Sequence, residues 1–211
     1  MNTQIRRTIA LGAMLTATVG LAACGGSDST SSATPTAAST TAPANLSVEQ
    51  ANLVGPGCSA YVTQVPTGKG SVEGMANDPV VTAASHNPML KTLTQALTGK
   101  LNAKVNLRDT LNGKDYTVFA PVDTAFAQLD TKTMDNLRKN PQALLKVLTY
   151  HVVAEELDPS EVVGRQVSVQ GQDLDVTGKG NTIKVNGANV ICGGVKTANA
   201  TVYLIDKVLQ P

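Results

Sequence analysis

Apolar positions along this chain follow two different periods, and the change between them divides it. In the front half they recur at three- and four-residue spacing. Met89, Leu90, Leu93, Ala96 and Leu97 mark one face of a helix that begins after Asn87 and closes at Gly99. Leu137, Leu144, Leu145 and Leu148 predict two more helices on either side of Asn140-Pro141. An Asx-Pro pair recurs as a start signal, at Asp78-Pro79, Asn87-Pro88, Asn140-Pro141 and Asp158-Pro159. Each puts a capping side chain before a proline at the first helical position, where the missing N–H costs nothing. One interruption is expected. Leu107–Leu111, Asn112-Gly113 and Tyr116–Ala120 read as a β-hairpin, since Asn-Gly is the strongest short hairpin signal.

In the back half the period becomes two. Val167–Val169, Leu174–Val176, Ile183–Val185, Val190–Cys192 and Val202–Ile205 alternate as short strands. Gly171-Gln172, Gly178–Asn181, Asn186-Gly187 and Gly193-Gly194 separate them. Helices kept apart from strands predict an α+β fold. The densest stretch is Tyr116–Leu129, which holds both of the chain's phenylalanines. Tyr116–Ala120 reads as a buried strand, Pro121 ends it, and Asp123 is placed to cap a helix carrying Phe126 and Leu129. Tryptophan is absent and tyrosines number four, so the core must be mostly Val, Leu, Ile and Ala.

The first 47 residues do not share these patterns. Residues 1–23 form a secretion signal, with Arg6 and Arg7 as a basic start and Ile9–Val19 as an apolar run too short to span a bilayer. It ends in Leu21-Ala22-Ala23-Cys24-Gly25, which has the small residues and cysteine of a bacterial lipobox. Cys24 is therefore the expected lipidation site, carrying a diacylglyceryl thioether; several acyl chains anchor firmly where one is marginal. An ordinary signal with a chance cysteine is the alternative. The polar tract that follows disfavours it, because Cys24 then has nothing to fold against. Residues 24–46 are rich in Ser, Thr, Pro and Ala, cannot offset their ordering entropy, and predict a disordered linker, glycosylated or bare. Residues 47–211 are long enough for one domain with a stable core. Without the signal the two signs of charge nearly balance. With few aromatics, this removes the case for nucleic acid.

Little in the domain suggests catalysis. With Cys24 acylated, Cys58 and Cys192 remain, and in an exported protein such a pair reads as a disulfide joining the first helix to a late strand. The two histidines, His86 and His151, fit no zinc-ligand spacing, so no metal or cofactor is implied. Gly55–Ala60 matches a dinucleotide fingerprint formally but follows no strand. Asp173 with Asp175, and Glu155, Glu156 and Asp158, read as solvated faces and caps.

Three blocks, in order, resemble the fasciclin (FAS1) family. They are Thr117–Phe126, Leu148-Thr149-Tyr150-His151-Val152, and Asn199–Pro211. Asp78–Leu90 and Cys192–Ala200 further resemble the secreted and lipoprotein fasciclin antigens of mycobacteria. Val122-Asp123 stands where the family usually has a small polar residue and Asn, and Ala200 where a Gly often follows Asn; Asp caps as Asn does, and Asn199 is able to adopt a left-handed backbone. The resemblance implies a single FAS1 domain, with helices packed on a wedge of two small β-sheets. It also implies a non-enzymatic protein at the outer face of the cell membrane, partly shed, acting in adhesion or contact with a matrix or host-cell receptor protein. Binding of an envelope lipid, glycan or small apolar ligand is the other reading. No Arg-Gly-Asp occurs. The family ties the pair Tyr150 and His151 to adhesion, which makes them binding candidates. Their place between a helix and an apolar strand suggests a different first role, as a buried clamp on neighbouring backbone.

Overall fold

A computed structural model describes residues 48–211. The signal (1–23), the linker (24–46) and Cys24 lie outside them. Four helices come first: α1 (Val48–Ala51), α2 (Cys58–Gln64), α3 (Val72–Met75) and α4 (Val80–His86). Then follow α5 (Lys91–Leu97), α6 (Arg108–Leu111), β1 (Tyr116–Pro121), α7 (Asp123–Ala127), α8 (Thr131–Lys139) and α9 (Pro141–Tyr150). The remainder is β2 (Val152–Val153), β3 (Gly164–Val167), β4 (Asp173–Thr177), β5 (Lys184–Val185), β6 (Ala188–Lys196) and β7 (Ala200–Ile205).

The strands form the order β2-β1-β7-β6-β5-β4-β3. The two small sheets expected are the halves of this order, joined by β6. Its outer ends also meet, through a bridge between Val153 and Ser168 and a 2.7 Å bond from Val169 N–H to Val152 O, so the sheet curls back on itself. β1 and β7 run parallel as neighbours and are buried along their whole length, as parallel strands covered on both faces must be. Alternation splits their side chains. Val118, Ala120, Val202 and Leu204 join the core beneath the helices. Phe119, Tyr203 and Ile205 join a second core inside the curl with Leu174, Val176 and Val185. Phe119 and Tyr203 are register partners with ring centroids 5.6 Å apart.

Several expected elements differ. Leu107–Leu111 is not a hairpin arm: four of its residues form α6, and Asn112 ends that helix. Arg108, Asp109 and Thr110 are consecutively exposed, which a strand cannot arrange in alternation, whereas Leu107 and Leu111 lie one helical turn apart and pack inward. Gly193-Gly194 is not a turn. Both lie inside β6, where the register against β7 slips by one residue on each side of Cys192. A Cβ on Gly193 would lie 2.2 Å from the Tyr203 ring, and one on Gly194 (φ +77°) 2.5 Å from Asn52 O. Gly193 thus makes room for the Tyr203 ring, and Gly194 lets the N-terminal segment approach the sheet. Asn186-Gly187 does turn the chain, with φ of 45° and 78° between β5 and β6.

Of the four Asx-Pro pairs, Asn140 alone caps as expected, its Oδ1 accepting from Gln142 N–H (3.1 Å) and Ala143 N–H (3.2 Å). Asn87 Oδ1 accepts from Met89 N–H at 2.9 Å, but the helix starts only at Lys91. Asp78 pairs with His86 and Lys69, and Val80 N–H is taken by Asn199 Oδ1 at 2.9 Å. Asn199 serves through its side chain and has no left-handed backbone. Asp158 starts no helix; it closes one turn and its carboxylate faces Lys196. Asp123 likewise does not cap its own α7. Its Oδ1 accepts from Thr92 N–H at 2.7 Å, capping α5 from 31 residues away.

Candidate functional site

Where α9 gives way to β2, Tyr150 is 5% and His151 3% exposed. The helix ends there because Asn140 and Pro141 set its start and the apolar face Leu144–Leu148 runs out into the β-branched pair Val152-Val153. His151 Nδ1 lies 2.8 Å from Val147 O, and Leu209 N–H donates to Nε2 at 2.9 Å. One ring nitrogen thus carries the proton and the other accepts, which only the neutral ring can do. Burial pushes its pKa down to about 4, with the Val147 carbonyl opposing. Tyr150 turns the other way. Its hydroxyl donates to Asp173 O at 3.1 Å and accepts from Asn186 Nδ2 at 2.6 Å, joining α9 to β4 and the β5–β6 turn. Both binding candidates therefore touch backbone and neighbouring side chains rather than solvent.

Cys58 and Cys192 are joined, with Cα atoms 4.7 Å apart across 134 positions. Cys58 opens α2, not the first helix, and Cys192 lies in the bulged part of β6. The Gly55–Ala60 stretch serves this junction: Gly57 N–H donates to Ile191 O at 2.8 Å. Asp173 faces solvent paired with Arg165, while Glu156 and Asp158 converge on Lys196. Burial works against the Lys196 charge, yet those two carboxylates hold its pKa above the ordinary value. The expectation that the acidic cluster caps a helix gives way to this ion pairing. His86 ends α4 on the surface beside Asp78. Among the described residues, no group of three or more His, Cys, Asp or Glu could hold a metal ion.

The family comparison settles the class. The Fasciclin domain model matches residues 88–211. This chain belongs to the fasciclin family. It is 56% identical over 160 residues to immunogenic protein MPB70 of Mycobacterium bovis, covering 76% of this chain and 83% of that one. Over 161 residues it is equally similar to cell surface glycolipoprotein MPB83 of the same species, covering 76% and 73%. A more distant relative, protein sll1483 of Synechocystis, is 34% identical over 63% of this chain and 73% of its own. A solved FAS1 domain pair from the insect cell adhesion molecule fasciclin I aligns at 20% identity with a TM-score of 0.44, over 58% of this chain and 45% of that one.

Within the fasciclin domain, one feature was missed in the sequence. A groove of about 260 Å³ runs between α8, α9 and the final residues, and a smaller one of about 170 Å³ adjoins it through the shared Leu129 and Val208. Leu137, Ala143 and Val147 complete the apolar wall, with Lys146 and Lys207 the lining charges. Ala143 and Val147 lie one turn apart on α9, the only local sign of it; the other walls come from elsewhere in the chain. His151 ties the two sides together, since its partners Val147 and Leu209 belong to α9 and to the tail.

Proposed function

We propose that this fasciclin protein works at the outer face of the cell membrane, in adhesion or in contact with a host-cell or matrix protein. Acyl chains on Cys24 hold it there, and residues 24–46 space the domain from the surface. The carrying observation is the 56% identity to a protein named a cell surface glycolipoprotein, taken with the lipobox that ends in Cys24. Tyr150 and His151 are buried with their hydrogen-bonding atoms occupied by neighbours, so they serve within the domain and the contact surface for a partner lies elsewhere on it. A second reading, binding of a small apolar envelope ligand, is favoured by the apolar groove beside α9.

Fractionation and capture test both parts. Cys24→Ala should move the protein from the membrane to soluble or unprocessed fractions; unchanged detergent partitioning would remove the anchor. Capture of matrix and host-surface proteins by the wild type, beside mass spectrometry of co-purified lipid, separates adhesion from ligand carriage.

A further inference from the structure

The groove between α8, α9 and the tail has a chemistry more specific than its shape. Leu137 forms its buried floor, and Leu129, Ala143, Val147 and Val208 are half-buried, so apolar surface is held open to solvent in a concavity. Isolated exposed apolar side chains are ordinary, but a concave run of them, here bordered by the polar side chains of Thr133, Asn136 and Gln210, is how small-molecule sites are built. Together the two adjoining hollows reach the lower end of the ~300–1,000 Å³ such sites occupy.

Charge then narrows the occupant. Lys146 lines the larger hollow and Lys207 the smaller, and no Asp or Glu lines either. Neither ammonium pairs with a carboxylate among the described residues, in contrast to Lys69 and Lys196. An apolar trough rimmed by unpaired lysines complements a molecule with one acyl chain and one anionic head. Deepening the second functional reading above, on which it rests, we infer that the groove takes a single-chain fatty acid. Its carboxylate sits at Lys146 and its hydrocarbon runs along Leu137, Ala143 and Val147 towards Val208. His151 touches no ligand in this arrangement. It is a positioning residue, since its imidazole fixes the tail wall at Leu209 to the α9 wall at Val147.

The test is titration of the full chain with sodium dodecanoate, read by calorimetry and by amide chemical shifts, with dodecanol and an acidic amphipathic helical peptide as comparison probes. Dodecanoate should shift the amides of Leu137, Ala143, Val147 and Val208. Ala143→Phe, which fills the trough, should weaken binding more than tenfold with the melting curve unchanged. Lys146→Ala should weaken dodecanoate about two- to fivefold and leave dodecanol unaffected. His151→Asn, which keeps a polar group at the clamp, should retain more binding than His151→Ala. Shifts outside the groove, no binding, or equal binding by Ala143→Phe would overturn the site. Equal affinity for dodecanol, or indifference to Lys146→Ala, would overturn the anionic ligand. A groove silent to dodecanoate but shifted by the acidic peptide would reassign it to a protein partner. None of these results bears on membrane anchoring or host-protein capture, which Cys24→Ala and the capture experiment decide.

Discussion

The two ends of the described domain are fastened to the same sheet by different means. Residues 48–87 lie outside the family match and are held redundantly. The disulfide joins α2 to β6, Val54 bridges Gly193, Ala198 N–H donates to Asp78 O at 3.0 Å, and Asn199 caps α4. That region also has its own polar centre: buried Tyr61 donates to Gly70 O and accepts from Asn87 Nδ2 at 3.0 Å. Desolvation pushes the Tyr61 pKa up to about 12. The C-terminal tail has less. Asp206 exchanges bonds with Asn189, and beyond it Leu209 N–H rests on the His151 ring. One attachment is covalent and indifferent to protons; the other depends on a histidine staying neutral. The groove lies beside the second.

The largest expected effect breaks the covalent side. Replacing Cys58 and Cys192 by Ala should destabilise the domain by up to about 5 kcal/mol, the loop-entropy limit for so long a loop. A non-reducing peptide map should first show the two cysteines joined; two freely alkylated thiols in the exported protein would mean that packing alone holds α2. Amides of the tail should keep their protection in the double variant if the two attachments are independent.

Next is the imidazole. His151→Ala leaves Leu209 N–H buried without an acceptor, costing about 1–3 kcal/mol, with a cavity cost added. The effect should depend on pH in a stated direction. The folded pKa of about 4 lies below the ordinary 6.5, so the unfolded chain binds the proton more readily. The contribution of the neutral ring is complete above pH 6.5 and declines as pH falls towards 4, by about 3 kcal/mol in all. The stability gap between wild type and His151→Ala, followed by thermal melts across that window, should shrink as the solution becomes more acid. A constant gap would contradict the clamp.

Smaller effects come from single bonds. Tyr150→Phe removes a donor to Asp173 O and an acceptor for Asn186, and should cost about 1–2 kcal/mol. Adhesion should survive at temperatures where the variant remains folded; adhesion lost with the melting curve intact would make Tyr150 a contact residue after all. Asp123→Ala should cost about 1 kcal/mol, and the loosened amides should be those of α5 rather than α7.

That last case shows what was readable beforehand. The β1 and β7 strands, the Asn186-Gly187 turn and the Asn140 cap follow from neighbours in the chain, and each was legible in the pattern. Asp123 and Asn199 have capping chemistry that the sequence displays, but their targets lie 31 and 119 residues away, and only packing selects them. Leu107–Leu111 failed because Asn-Gly marks a turn without naming what precedes it; the four-residue spacing of its two leucines is the helical signal there. Gly193-Gly194 reads locally as a turn and serves instead as a landing place for residues 52–54. The internal role expected for Tyr150 and His151 followed from their apolar flanks. The groove did not follow, because its walls come from three separated segments.

Hydrogen exchange at the Leu209 amide tests the difference between the two attachments most directly. In the wild type near neutral pH that amide should be strongly protected. In His151→Ala it should exchange much faster, while the β7 amides Val202–Leu204 and the α2 amides near Cys58 stay protected. A Leu209 amide that is unprotected in the wild type, or equally protected in the variant, would contradict the account.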